Sequence, residues 1–257
     1  MLTAKDIRVA PISQKDAALL VRRVHYSGKI VNNSQLHFGV FIGGALEGVM
    51  SFGACMDKRR MMGLVSGTGW NDFLELNRMA FSERLPRNSE SRALSVAFRL
   101  IKKHYPNIEW IVSFADGAQC GDGTIYRASG FVLTSIKKNN SLLRMPDGSV
   151  VAAKTLDNPN HIGANGRFGS AIAKEAGAKP LDGFQLRYVY FLNAEAKARL
   201  TVPIIPFSQI AEVGACMYKG QKTFKDSRVK QVNSGVQSEN GGAAPTHTLQ
   251  FSGAYNE

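Results

Sequence analysis

Apolar residues Ala17, Leu20, Val21 and Val24 fall at i, i+3, i+4 and i+7, which predicts a helix. SQKD, at 13–16, precedes them and resembles a capping box with Asp in place of the usual Glu or Gln. The helix is expected to end in HYSGK, with Gly28 as terminator. LHFGVFI, Gly43-Gly44 and ALEGVMSFGAC read as two strands around a tight turn. Gly39, Gly48 and Gly53 interrupt them and allow close backbone approach. MDKRRMMGLVSGTGW reads as a basic, glycine-containing loop, and LELNRMAF as a third strand. Leu94, Ala97, Phe98 and Ile101 share one face of a second helix, capped by Asn88 or Ser89 and stopped at Pro106.

IEWIVSFA, at 108–115, is a nearly continuous apolar run, the pattern of a buried parallel strand. Asp116, a glycine-rich loop and a turn around Tyr126 follow it, then the strand FVLTSIKK. RFGSAIAKEAGA suggests a short helix and QLRYVYFL a late strand. The order predicts a single α/β domain over residues 1–233, with a central mixed sheet flanked by helices and a right-handed crossover between residues 74 and 115. Residues 234–257 are polar and glycine-rich and are expected to be a disordered tail.

Charge narrows the partner. Lys and Arg number 32 against 20 Asp and Glu among 257 residues, a formal net charge of +12. That balance points to a polyanion, most simply nucleic acid. No apolar run approaches the roughly 18–20 residues of a membrane span, and no Lys/Arg-rich amphipathic helix suggests a membrane surface. The N-terminus lacks a signal-peptide pattern, so the expected location is the cytoplasm. Three widely spaced cysteines fit free thiols there, and no Cys-x-x-Cys pair marks a zinc site.

Thr124, Tyr126, Gly130 and Phe131 fit part of a Tyr-x-x-x-Gly-Phe turn, and the element order around them is similar to the GNAT acyltransferase fold, whose sheet is splayed. A wider set is more specific: His25-Tyr26-Ser27-Gly28 after the first helix, Asn77-Arg78 in the third strand, Ser113-Phe114-Ala115-Asp116 closing the apolar strand, and Gly123-Thr124-Ile125-Tyr126 beyond it. Together these resemble the Mom DNA-modification proteins of Mu-like phages, over roughly Ser13 through Leu192. The resemblance implies a GNAT-like enzyme, acting in the host cytoplasm, that converts adenine in double-stranded phage DNA to N6-carbamoylmethyladenine and so shields it from restriction. It also implies an associated iron ion, and functional positions at His25, Tyr26, Arg78, Asp116 and Tyr126.

Each position has a structural alternative. Tyr126 is either a core aromatic or a proton donor to the leaving group. Asp116 either caps a loop or sits where α/β sheets place ligands, as a base or, with His25, as a metal ligand. His25 could simply close a helix, and Tyr26 could stack on a flipped base. Arg78, charged within an apolar strand, is either one half of an ion pair or a clamp on phosphate or carbonyl. Asn77 and Ser113 join the substrate side, and Lys58, Arg59 and Arg60 are candidates for DNA phosphates.

A departure concerns the donor. The GNAT phosphate loop is glycine-rich, but LPRNSESRALS stands in its place. Without glycine the backbone approaches phosphates less closely, which argues against coenzyme A. Arg87, Ser89 and Arg92 are the candidates for holding a donor phosphate there. Carbamoylmethyl has the atoms of one glycyl residue, so glycyl-tRNA is one candidate donor and an acyl-CoA the other. Two further readings stand open: an acetyl-CoA-dependent acyltransferase for a protein or small amine, and a non-catalytic DNA-binding protein on the same scaffold. The oligomeric state is open, a homodimer included.

Overall fold

The computed structural model describes residues 2–157, 168–218 and 221–222; the boundary at 233 and the tail over 234–257 lie outside them. In chain order the elements are β1 (Arg8–Pro11), α1 (Gln14–Val24), β2 (Ser34–Ile42), β3 (Ala45–Gly53), α2 (Lys58–Met62), β4 (Phe73–Phe81), α3 (Ser89–His104), β5 (Trp110–Asp116) and α4 (Thr124–Ala128). Then come β6 (Val132–Lys138), β7 (Leu142–Arg144), β8 (Val150–Ala152), α5 (Ala153–Leu156), α6 (Gly169–Glu175), β9 (Lys179–Pro180), β10 (Phe184–Phe191), α7 (Ala194–Ala198) and α8 (Ser208–Glu212). Two short strands, β11 (Met217–Tyr218) and β12 (Gln221–Lys222), pair with each other.

Seven strands form one mixed sheet in the order β1-β2-β3-β4-β5-β10-β6. β4 and β5 are its parallel neighbours. They pair only from Phe73–Glu75 to Trp110–Val112. Past that point β5 remains bonded to β10 along its whole length, Trp110 to Asp116, while β4 remains bonded to β3 through Phe81. The two halves of the sheet part there, the splay that the resemblance implied. Just inside the split, Ser113 Oγ donates to the Leu76 carbonyl at 3.2 Å, satisfying an acceptor that ladder pairing has left.

One face packs on α3 through Leu94, Ala97, Phe98 and Ile101, the stripe read from the sequence. The other face is covered at one end by α1, with Ala17, Leu20 and Val21 on Val49 and Ala80. At the other end Met61, Leu64 and Val65 cover Phe73, Trp110 and Val189. A register shift lies between these covers. Leu76 pairs with Phe52 and Arg78 with Ser51, leaving Asn77 as an extra residue in β4. The bulge turns Leu76 toward the α3 side and Arg78, two residues on, toward the α1 side.

The structure revises several sequence expectations. The basic loop contains α2, whose N-cap Asp57 accepts from the Arg60 N–H. Asn88 is the N-cap of α3 but makes no side-chain capping bond; it lies in the left-handed region at φ 70°, and Ser89 is already inside the helix. A small second sheet, β8-β7-β9, joins α5 and α6 around Leu143, Ala173 and Ala178. The expected short helix is α6 of this insert, and the late strand, β10, lies between β5 and β6. Among the described residues no helix is long and apolar enough to cross a membrane.

Candidate active site

The chain leaving α1 delivers the first residues to the split. His25 is the C-cap, its N–H donating to the Val21 carbonyl at 2.9 Å. Its ring folds back onto its own turn: the Ser27 N–H reaches Nδ1 at 3.1 Å and Ser27 Oγ lies 2.8 Å from the same atom. A backbone N–H can only donate, so Nδ1 is the acceptor and the ring proton sits on Nε2. Burial, aided by the Arg78 charge, lowers the His25 pKa to about 4, so the imidazole is neutral near pH 7. Tyr26 stacks obliquely on it at 4.3 Å.

Arg78 meets this turn from the sheet. Its Nε donates to the Lys29 carbonyl at 2.9 Å and its Nη1 to the Asn77 carbonyl at 3.2 Å. Among the described residues no carboxylate lies within ion-pair distance of it. Arg78 therefore makes no direct ion pair there, although its charge reaches Glu75, and its Nη2 makes no hydrogen bond among the described residues. Asn77 is turned by the bulge to accept from Ser34 Oγ at 3.1 Å.

β5 delivers Asp116 across the split. Its carbonyl accepts from Cys120 N at 2.8 Å and from Gly121 N at 3.2 Å, and its Oδ1 from Ala118 N at 3.1 Å, so the strand ends in a tightly held turn. Tyr26 donates to Oδ2 at 3.4 Å, joining the α1 turn to β5. Burial raises the Asp116 pKa, and the hydrogen bonds from Ala118 and Tyr26 oppose that shift. Tyr26 is 54% exposed while its hydroxyl is turned in toward Asp116.

Tyr126 reaches the split from the opposite face. It sits on α4, with its ring 5.2 Å from Phe131 and 5.3 Å from Tyr188. Gly123 makes that placement possible. It starts α4 at φ 84°, and a Cβ there would lie 2.4 Å from the Tyr188 ring. Tyr188 is fully buried and donates its hydroxyl to the Asp122 carbonyl at 2.5 Å, so it holds its place. Burial raises the Tyr126 pKa, with Ser113 acting the other way. The phenol is a neutral donor, packed by its ring and polar at the tip.

Glu75 is a residue that sequence reading missed. It is the last β4 residue paired with β5, at the apex of the split. Burial raises its pKa, while the Cys55 thiol, Asn77, Arg78 and Lys154 hold it down. The available signal was a carboxylate inside LELNRMAF beside Asn77-Arg78.

The peripheral candidates fare unequally. Lys58 lies over the Trp70 ring at 4.7 Å and is not a free surface charge, whereas Arg59 and Arg60 are exposed. Arg92 lines a groove of about 420 Å³ beside Ser91, Phe98, Ser129 and Tyr190. Arg87 is exposed outside that lining. Ser89 is fully buried and its Oγ has no partner among the described residues, so it does not face a donor in the groove. The metal expectation fits poorly. Nδ1 of His25 is taken by Ser27, and among the described residues no three His, Cys, Asp or Glu side chains converge on one point.

A split sheet with a carboxylate, two neutral phenols and a guanidinium at its mouth is suited to polar group transfer without a charged nucleophile of its own. The family pattern of the Mom proteins matches residues 6–209. The chain is 37% identical over 202 residues to the methylcarbamoylase mom of Escherichia phage Mu, covering 78% of this chain and 82% of that protein. The chain belongs to the Mom protein family. Among solved structures it is similar to the ribosomal-protein-S18-alanine N-acetyltransferase of Escherichia coli (TM-score 0.41, 10% identity, 73% of this chain and 94% of that one). It is also similar to a GNAT family acetyltransferase of Elizabethkingia anophelis with acetyl-CoA bound (TM-score 0.39, 14% identity, 72% and 98%).

Proposed function

We propose that this protein is a transferase that modifies adenine in DNA, leaving a carbamoylmethyl group on N6 of a base extruded from the duplex, and that it acts on phage DNA in the host cytoplasm against restriction. The observation that carries the reading is the meeting of Tyr26, Arg78, Asp116 and Tyr126 at one end of the split sheet, from four separate segments. Family membership and the methylcarbamoylase name of the phage Mu relative support it.

The adenine amine is a weak nucleophile because its lone pair is delocalised into the ring, so positioning and polarisation govern the step. Asp116 accepts an N6–H and holds the amine toward the donor. The free N–H groups of Arg78 polarise the donor carbonyl, and Tyr126, a neutral phenol, protonates the departing oxygen or sulfur. Extruding the base costs a few kcal/mol, which contacts to DNA must offset.

The donor in this reading is a glycyl ester such as glycyl-tRNA. N6 attacks the ester carbonyl, the acyl–oxygen bond breaks, and the ribose oxygen leaves with a proton. The product is N6-glycyladenine. Its free amine then attacks C6, the original C6–N6 bond breaks, and the isomeric carbamoylmethyl group results with no atom gained or lost. Arg92 receives a donor phosphate in this reading, which its position in the lining of the groove supports. The test is purified protein, duplex DNA and glycyl-tRNA labelled with nitrogen-15. The expected label lies on the nitrogen that bridges C6. Label from an acyl-CoA and none from glycyl-tRNA would overturn the donor; no modified base from any donor would overturn the reaction.

A further inference from the structure

Phe114 is 41% exposed although it sits in β5, near the centre of the sheet. It shares a face with Val112, two residues back, which is fully covered. The cover formed by Met61, Leu64 and Val65 stops there, leaving Phe114 exposed, with the half-buried Asp116 on the same face roughly 7 Å farther on. Directly across on β10 stands Arg187. Its Nε donates to Thr134 Oγ1 at 2.9 Å and its Nη2 to the Thr134 carbonyl at 3.2 Å, which fixes the guanidinium and leaves other N–H groups unused.

No carboxylate is within ion-pair distance of Arg187 among the described residues. Its charged neighbour is another cation, Arg60 of α2, and burial with that repulsion lowers its pKa. α2 is held in place by Met61, which packs in the same cluster as Val189, two residues along β10 from Arg187. A part-buried guanidinium held by Thr134, with no carboxylate within ion-pair distance among the described residues, is suited to an anion. A bare aromatic ring beside it is arranged for a flat apolar surface.

We propose that Phe114 and Arg187 form a nucleotide platform, with the extruded base stacked on Phe114 and the adjoining backbone phosphate held by Arg187. The proposal rests on the DNA-modification reading for its ligand and adds the surface that receives it. The base would enter with its exocyclic edge toward Asp116, next along the same strand face, and with the open ring of Tyr26 alongside. Thr134 orients the Arg187 guanidinium without neutralising it, and the net charge of +12 complements the polyanion.

The test is binding of the full chain to two duplexes, one with a single mismatched adenine and one with an abasic site in its place, over a range of salt. Phe114→Ala should weaken binding to the mismatched duplex about tenfold and leave the abasic duplex unaffected. Phe114→Trp should keep the preference. Arg187→Gln should weaken both and lower the slope of log affinity against log salt by about one, with Arg187→Lys restoring it. Equal loss on both duplexes for Phe114→Ala, or an unchanged slope for Arg187→Gln in a variant that melts like the parent, would overturn the platform. Nucleoside analysis separates the two ideas. A parent that modifies adenine while both variants bind as it does removes the platform alone. The expected binding pattern in a protein that modifies nothing removes the chemistry alone.

Discussion

His25 carries a proton balance that can be read in stability. Its pKa falls from about 6.5 in the unfolded chain to about 4 when folded. The unfolded chain therefore binds more protons between those values, and folding stability is lost as pH falls from about 6.5 toward 4. Glu75 and Asp116, whose pKa values are raised, shift in the opposite sense, so the comparison must be with a variant. His25→Gln is expected to show a shallower decline in melting temperature over that window. A parallel decline would mean that the imidazole titrates freely. Tyr126 separates packing from chemistry. Tyr126→Phe keeps the ring contacts with Phe131 and Tyr188, so stability should change by less than about 1 kcal/mol. Turnover should fall on the order of 10²–10⁴ if the phenol donates a proton. Measuring melting and modification on the same preparation checks both.

At the scale of elements, the turn that carries Tyr126 depends on one glycine. Gly123→Ala places a methyl in the left-handed region and against the buried Tyr188 ring. A loss of roughly 2 kcal/mol or more is expected, read as a drop of several degrees in melting temperature. The elements that the sequence revealed are those whose period is long enough to register: α1, the β2–β3 hairpin, β4, α3 and β5. β7, β8 and β9 have two or three residues each and leave no period to read. α2 was hidden because its polar run Lys58-Arg59-Arg60 looks like a solvated loop, while its one buried anchor is Met61. The candidate site was proposed only through resemblance at His25, Tyr26, Arg78, Asp116 and Tyr126, which the fold brings to one end of the sheet. Glu75 escaped because Leu74, Glu75, Leu76 and Asn77 alternate like a strand with a wet face, and nothing in that pattern reveals the bulge at Asn77 or the split beside it. Ser89 was misjudged for a related reason: a cap and a first-turn residue differ by one position in sequence and by the whole of their exposure.

At the scale of the molecule, a net charge of +12 explains association and not chemistry. Binding to DNA should weaken steeply with salt whether or not a base is modified. The chemistry depends instead on the split of the sheet, which brings the end of α1, the bulge of β4, the end of β5 and the turn of α4 to one mouth. Asp116 is the most direct probe of that arrangement. Asn at this position keeps one oxygen to accept from Ala118 and turns an amide N–H to the Tyr26 hydroxyl, which can accept it, while removing a buried charge, so Asp116→Asn should fold about as stably as the parent near neutral pH. The decisive measurement is nucleoside mass spectrometry of plasmid DNA from bacteria expressing the parent chain and Asp116→Asn. The expected result is an adenine heavier by one glycyl residue with the parent and ordinary adenine with the variant. Unmodified adenine from a folded, soluble parent would contradict the account, and equal modification by both would remove Asp116 from the reaction.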